Sequence, residues 1–149
     1  MRRFRTIALA ALLCATCATA LAADAAPGPQ ARAAAAARAQ AGVPYLWGGD
    51  SPRTGFDSSG LVVWAYGRVG IALPHAAPVL WDAGRHVTRA QLRPGDLVFF
   101  DHAGHVGIYL GHGEFVHATH TGALVAVQRL RGFLTQYSGA VRIARPRKR

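Results

Sequence analysis

His105-Val106-Gly107-Ile108-Tyr109-Leu110-Gly111-His112-Gly113-Glu114-Phe115-Val116-His117-Ala118 is two short apolar runs divided by a glycine-flanked histidine. Such runs, broken by turn residues, predict two strands of a hairpin. The same pattern continues on both sides. Leu97–Phe100 precedes, behind Pro94-Gly95-Asp96, while residues 124–127, after Thr121-Gly122, and residues 141–143 follow. Together these segments predict a small antiparallel sheet. Upstream the period changes. Residues 31–41 are alanine-rich, with Arg32 and Arg38, and predict a helix ended by Gly42 and Pro44. Residues 44–56, PYLWGGDSPRTGF, predict an irregular loop. Asp57 then stands at an N-cap, and Leu61, Val62, Trp64 and Ala65 supply the buried face of a second helix running to about Arg68. Helices first and strands afterwards predict an α+β domain, not alternating βαβ units.

The hairpin bears on chemistry as well as fold. If Gly111-His112-Gly113 is a three-residue loop, Leu110 pairs with Glu114 and Gly107 with His117. His105 and His117 are then diagonal neighbours on one face, able to share a hydrogen bond through which one ring orients the other as a base. A two-residue turn would instead set His105 opposite His120. Ser58, in the first turn of the second helix, lies near unsatisfied N–H groups and the positive end of the helix dipole, an environment that favours developing negative charge. Taken alone it reads as a helix-start serine. His102, His112 and His120 read as turn-associated side chains, and His75 and His86 as surface positions. Zinc accepts imidazole readily, but residues three apart on a strand face opposite sides and few carboxylates lie nearby. No metal and no cofactor is expected.

Composition sets the compartment and the partners. Arg2, Arg3 and Arg5, an apolar run over residues 7–14 and a small-residue stretch ending Ala20-Leu21-Ala22 predict a secretory signal peptide over residues 1–22. The apolar run is too short for a stable membrane span. The only cysteines, Cys14 and Cys17, lie inside that leader, so the exported chain is expected to carry no thiol and no disulfide. Residues 23–30 read as a flexible lead-in, 31–144 as one domain and 145–149 as a basic tail. The chain holds 17 Lys+Arg against 7 Asp+Glu, a formal +10, and loss of Arg2, Arg3 and Arg5 leaves 14 against 7, or +7. Such charge favours polyanions. Export argues against nucleic acid, and a monomer is expected.

In order, PYLWGG, GFDSSGL, Gly70-Ile71-Ala72-Leu73-Pro74, LRPGDLVFF, HVGIYLG and FVHA make the chain resemble the NlpC-type cell-wall peptidases over about residues 31–143. The resemblance implies a papain-like α+β fold and cleavage of peptidoglycan stem peptides by a cysteine, a histidine and a third polar residue. It implies Ser58 at the nucleophile position, His105 as base, His117 as orienting residue and Tyr45 lining the site. The backbone N–H of Ser58, helped by Tyr45, would stabilise the oxyanion. Two departures stand out. The family pattern Asp-Cys-Ser-Gly is here Asp57-Ser58-Ser59-Gly60, and His75 follows Leu73-Pro74 where the family often carries arginine. A thiol of pKa ~8.5 is readily ionised beside a helix N-terminus and a histidine; a serine must lose its proton during attack. The resemblance therefore implies peptide hydrolysis that is weakened or lost, or else a non-catalytic protein that binds the same peptides, in the periplasm or cell envelope.

Overall fold

The computed structural model describes residues 25–145. The expected leader, with Cys14 and Cys17, lies outside the described residues, as do Arg147, Lys148 and Arg149. Helix α1 is Pro29–Arg38. It begins two residues before the expected start because Pro29, with φ already fixed, is well suited to the first turn, and it ends three residues early. Its buried alanines Ala33, Ala34 and Ala37 let it pack closely on the second helix. The glycine-rich loop contains a hairpin too short to read from alternation, β1 (Asp50–Ser51) and β2 (Gly55–Phe56). Helix α2 is Ser58–Gly67, as expected, and a single turn, α3 (Ala77–Trp81), follows.

The remaining strands are β3 (Arg85–Val87), β4 (Leu97–Phe100), β5 (His105–Gly111), β6 (Glu114–Ala118), β7 (Val125–Arg129) and β8 (Tyr137–Arg142). They form one antiparallel sheet in the order β3-β8-β4-β5-β6-β7. Short, mostly exposed β3 gave no apolar run to read. The fold is the expected α+β arrangement, helices on a small antiparallel sheet. Both faces are covered. Leu97, Phe99, Val106, Ile108, Val116 and Ala118 meet Leu61, Val62, Ala65 and Tyr66 of α2, whereas Val98, Phe100, Phe115 and Ala140 form a second core on the reverse face. That is why Leu97–Phe100 is an unbroken apolar run.

The PGD turn ties these layers together. Gly95 N–H donates to Tyr109 O at 2.8 Å, Tyr109 N–H donates to Asp96 O at 2.8 Å, and Tyr66 O–H donates to Gly95 O at 2.6 Å. Asp96, 1% exposed, accepts from Arg142 Nε at 2.7 Å and from Arg142 Nη2 at 2.6 Å.

Candidate active site

The hairpin reaches its register by a route the sequence did not reveal. His112 (φ 52) and Gly113 (φ 75) make a two-residue turn with both residues left-handed, so Gly111 sits opposite Glu114. Left alone, that turn would have set His105 opposite His120. A bulge at Leu110 inserts one residue and restores the other register, with Tyr109 opposite Phe115 and Ile108 opposite Val116. His105 Nε2 and His117 Nδ1 are consequently 2.7 Å apart. Gly107 makes room for the pair. A Cβ there would lie 2.8 Å from the Phe115 ring and 3.2 Å from His117 Cβ.

A third member continues the chain. His117 Nε2 is 2.8 Å from Gln128 Oε1, on β7 diagonally across from it. The amide oxygen only accepts, so His117 carries its proton on Nε2 and offers the Nδ1 lone pair. His105 then donates from Nε2, leaving its own Nδ1 lone pair free to act as a base. Gln128 lies one residue beyond the apolar run at residues 124–127 and so was not singled out in the sequence; only the diagonal offset from His117 could have pointed to it.

Burial tunes both rings. His117 is 4% exposed and packs on Phe115 and Phe133 at 4.7 and 5.8 Å between ring centres. Desolvation pushes its pKa down to about 4, against the upward pull of the Gln128 bond. Desolvation also lowers His105, opposed by the nearby Asp101 carboxylate. Both rings are therefore neutral at pH 7. The unfolded imidazole, near 6.5, takes up its proton first, so the stability gained by burying neutral His117 is complete above pH 6.5 and is lost as pH falls toward 4. The expected loss is on the order of 3 kcal/mol. Chemical denaturation of the protein and of His117→Asn at pH 7, 5.5 and 4 measures it. Parallel pH dependences for the two proteins would show that His117 is not buried neutral.

The loop entering β5 is strained. Asp101, His102 and Ala103 have φ of 52, 55 and 64, three left-handed residues in a row, each costing roughly 1–2 kcal/mol. Asp101 N–H to Gln136 O (2.9 Å) and Gly104 N–H to Asp101 O (3.0 Å) hold this turn, which fixes where His105 emerges. His105, His117 and Gln128 line a cleft of about 570 Å³, with Asp101, His120 and Phe133 also in its walls.

Ser58 opens α2 behind Asp57, the expected N-cap. Asp57 Oδ1 accepts from Gly60 N–H at 2.7 Å and Oδ2 from Gly48 N–H at 2.9 Å, which joins the helix start to the glycine loop. His75, read from sequence as a surface position, is exposed but bonds through Nε2 to Asp57 Oδ1 at 2.7 Å. Gly60 permits close approach, since a Cβ there would collide with the carbonyl oxygen of Gly49. Tyr45 lies in the same neighbourhood: burial, and then the Asp57 charge, raise its hydroxyl pKa. The structure thus joins His105, His117 and Gln128 in one hydrogen-bonded chain and ties Asp57, next to Ser58, to His75, while the Asp57 charge reaches Tyr45. Within the described residues no hydrogen bond joins Ser58 to either ring, and the walls of the cleft do not include Ser58 or Tyr45.

A family model, that of the NlpC/P60 family, matches residues 42–142. A probable endopeptidase of Mycobacterium tuberculosis is 47% identical over 105 residues, covering 70% of this chain and 27% of the relative. The murein DD-endopeptidase MepH of Escherichia coli is 43% identical over 119 residues, covering 72% of this chain and 44% of MepH. The chain thus spans less than half the length of these relatives. Among solved structures, NlpC2 from Trichomonas vaginalis superposes with a TM-score of 0.71 at 32% identity, over 77% of this chain and 47% of that one. The P60 domain of a Mycobacterium avium subspecies paratuberculosis antigen gives 0.68 at 31% identity, over 77% of this chain and 93% of that domain.

Proposed function

The chain belongs to the NlpC/P60 family, and from that membership we propose an exported protein that acts on peptidoglycan stem peptides, with Ser58 in the nucleophile position. The observation that carries this reading is the His105–His117–Gln128 chain of hydrogen bonds, which leaves one imidazole nitrogen unprotonated at the edge of a cleft. The relatives support the substrate class, being named as endopeptidases and, for MepH, a murein endopeptidase.

In this reading Ser58 Oγ attacks the carbonyl carbon of a stem-peptide bond while His105 Nδ1 takes the hydroxyl proton. His117 holds the His105 ring and shares the charge that forms on it. The oxyanion is met by the Ser58 backbone N–H at the start of α2 and by the Tyr45 hydroxyl. The proton held by His105 passes to the departing amine, and water then releases the acyl group by the same steps in reverse roles. Turnover is slow, because a serine gains nothing from a site suited to a preformed thiolate. The protein works in the periplasm or cell envelope, after cleavage behind Ala22, and as a monomer. No helix among the described residues is long and apolar enough to cross a membrane.

A second reading is favoured by one observation, the absence of a hydrogen bond between Ser58 and His105: the cleft holds a stem peptide without cutting it. Mass spectrometry of purified peptidoglycan incubated with the protein, Ser58→Ala and His105→Ala separates the two. Hydrolysis predicts fragments from the unmodified protein and a loss of at least ~100-fold in each variant. Fragments that persist in His105→Ala remove that ring from the mechanism. No fragments from any form, with peptide still bound, select the binding role.

A further inference from the structure

At the end of β4 away from the histidines, a cavity of about 450 Å³ shares no wall residue with the histidine cleft. Four arginines, Arg85, Arg93, Arg142 and Arg145, line it with a single carboxylate, Asp96. That carboxylate is already committed: it accepts from Nε and Nη2 of Arg142 and, at 2.8 Å, from the backbone N–H of Arg93. Among the described residues the side chains of Arg85, Arg93 and Arg145 enter no ion pair and no hydrogen bond. Moreover Arg85 and Arg142 are directly opposed across the β3–β8 pair, a like-charge placement that costs stability. The first turn of α1, with no acidic residue, borders the same space through Gln30.

Guanidinium groups gathered around one concavity repel one another until a counter-charge enters. Their planar forks match the paired oxygens of phosphate. We propose that this cavity binds a phosphate oxyanion, free or carried on a lipid headgroup. The basic residues Arg147, Lys148 and Arg149, which follow Arg145 in the sequence, add attraction to an anionic surface. The site would hold the protein to a phosphate-bearing component of its surroundings while the histidine cleft stays open, and it does not depend on Ser58 chemistry.

Two arms test this at constant ionic strength. Inorganic phosphate is titrated into the purified protein and followed by backbone amide shifts, and the protein is sedimented with phosphatidylglycerol or phosphatidylcholine vesicles. Arg85→Gln/Arg93→Gln is compared with Arg53→Gln/Arg131→Gln, which has the same net charge and alters exposed arginines outside the cavity. Saturable phosphate shifts at the amides of Gln30, Arg93, Gly95 and Asp96 are expected. The cavity pair should weaken phosphate or phosphatidylglycerol binding roughly tenfold or more, and the control pair less than about twofold. Saturation by phosphate with no vesicle preference assigns a free anion. A phosphatidylglycerol preference lost in the cavity pair assigns a headgroup. Unsaturable shifts with no vesicle preference, or equal weakening by both variants, would overturn the site.

Discussion

Peptidoglycan incubated with Ser58→Cys protein is expected to release stem-peptide fragments at least ~100-fold faster than the unmodified protein, the lower end of what positioned proton transfer contributes. Residue 58 is the first of the ten residues of α2, and a thiol there sits at the positive end of the dipole, where thiolates are stabilised. Such a thiolate needs no proton removed during attack. Serine does, and the base available to it is handicapped: burial holds the His105 pKa below its ordinary value, so its Nδ1 is a reluctant acceptor for an alcohol proton. Exchanging oxygen for sulfur removes that step and leaves the rest of the site untouched. Initial rates by liquid chromatography and mass spectrometry measure the gain. A folded Ser58→Cys protein with no gain would mean that residue 58 and the His105 ring do not form one reacting site. The absence of a hydrogen bond between them would then be the functional state of the protein.

The sequence was most readable where one side chain determines local geometry. Asp57 capped α2 as expected, and the apolar runs at residues 97–100, 106–110 and 115–118 fell within β4, β5 and β6. The proximity of His105 and His117 was also legible, though for an incomplete reason. The turn has two residues, not three, and the expected register survives only because Leu110 bulges. A bulge depends on how two strands settle against their cores, so neither strand's sequence announces it. The same limit hid Gln128 and the His75 contact with Asp57. Each is a polar residue whose partner lies on another element, and its meaning appears only once register and packing are fixed. His75 illustrates the point. It is exposed, as a surface histidine should be, yet its Nε2 meets the carboxylate that caps the helix bearing Ser58.

Arg142→Met is expected to destabilise the fold by about 3–5 kcal/mol, the cost of leaving one member of a buried ion pair behind. Asp96 is 1% exposed, and Arg142 supplies two of its three hydrogen bonds, the third coming from Arg93 N–H. Methionine fills most of the arginine stem's volume but donates nothing, so the buried carboxylate keeps one of its three hydrogen-bond partners. The loss would spread beyond the pair. Asp96 belongs to the turn whose backbone bonds Tyr109 of β5 and whose neighbour Gly95 accepts from Tyr66 of α2, so the helix carrying Ser58 is docked on the sheet through it. Against a total of roughly 5–15 kcal/mol for an ordinary domain, such a loss is a large share. Urea denaturation of Arg142→Met and of the double variant Asp96→Asn/Arg142→Met decides the cause. If the uncompensated charge is responsible, neutralising it recovers part of the loss, and the double variant is more stable than Arg142→Met alone. If instead Arg142→Met costs less than about 1 kcal/mol, the pair is behaving as a screened surface bridge, and the docking of α2 rests on the Tyr66 bond and apolar contact alone.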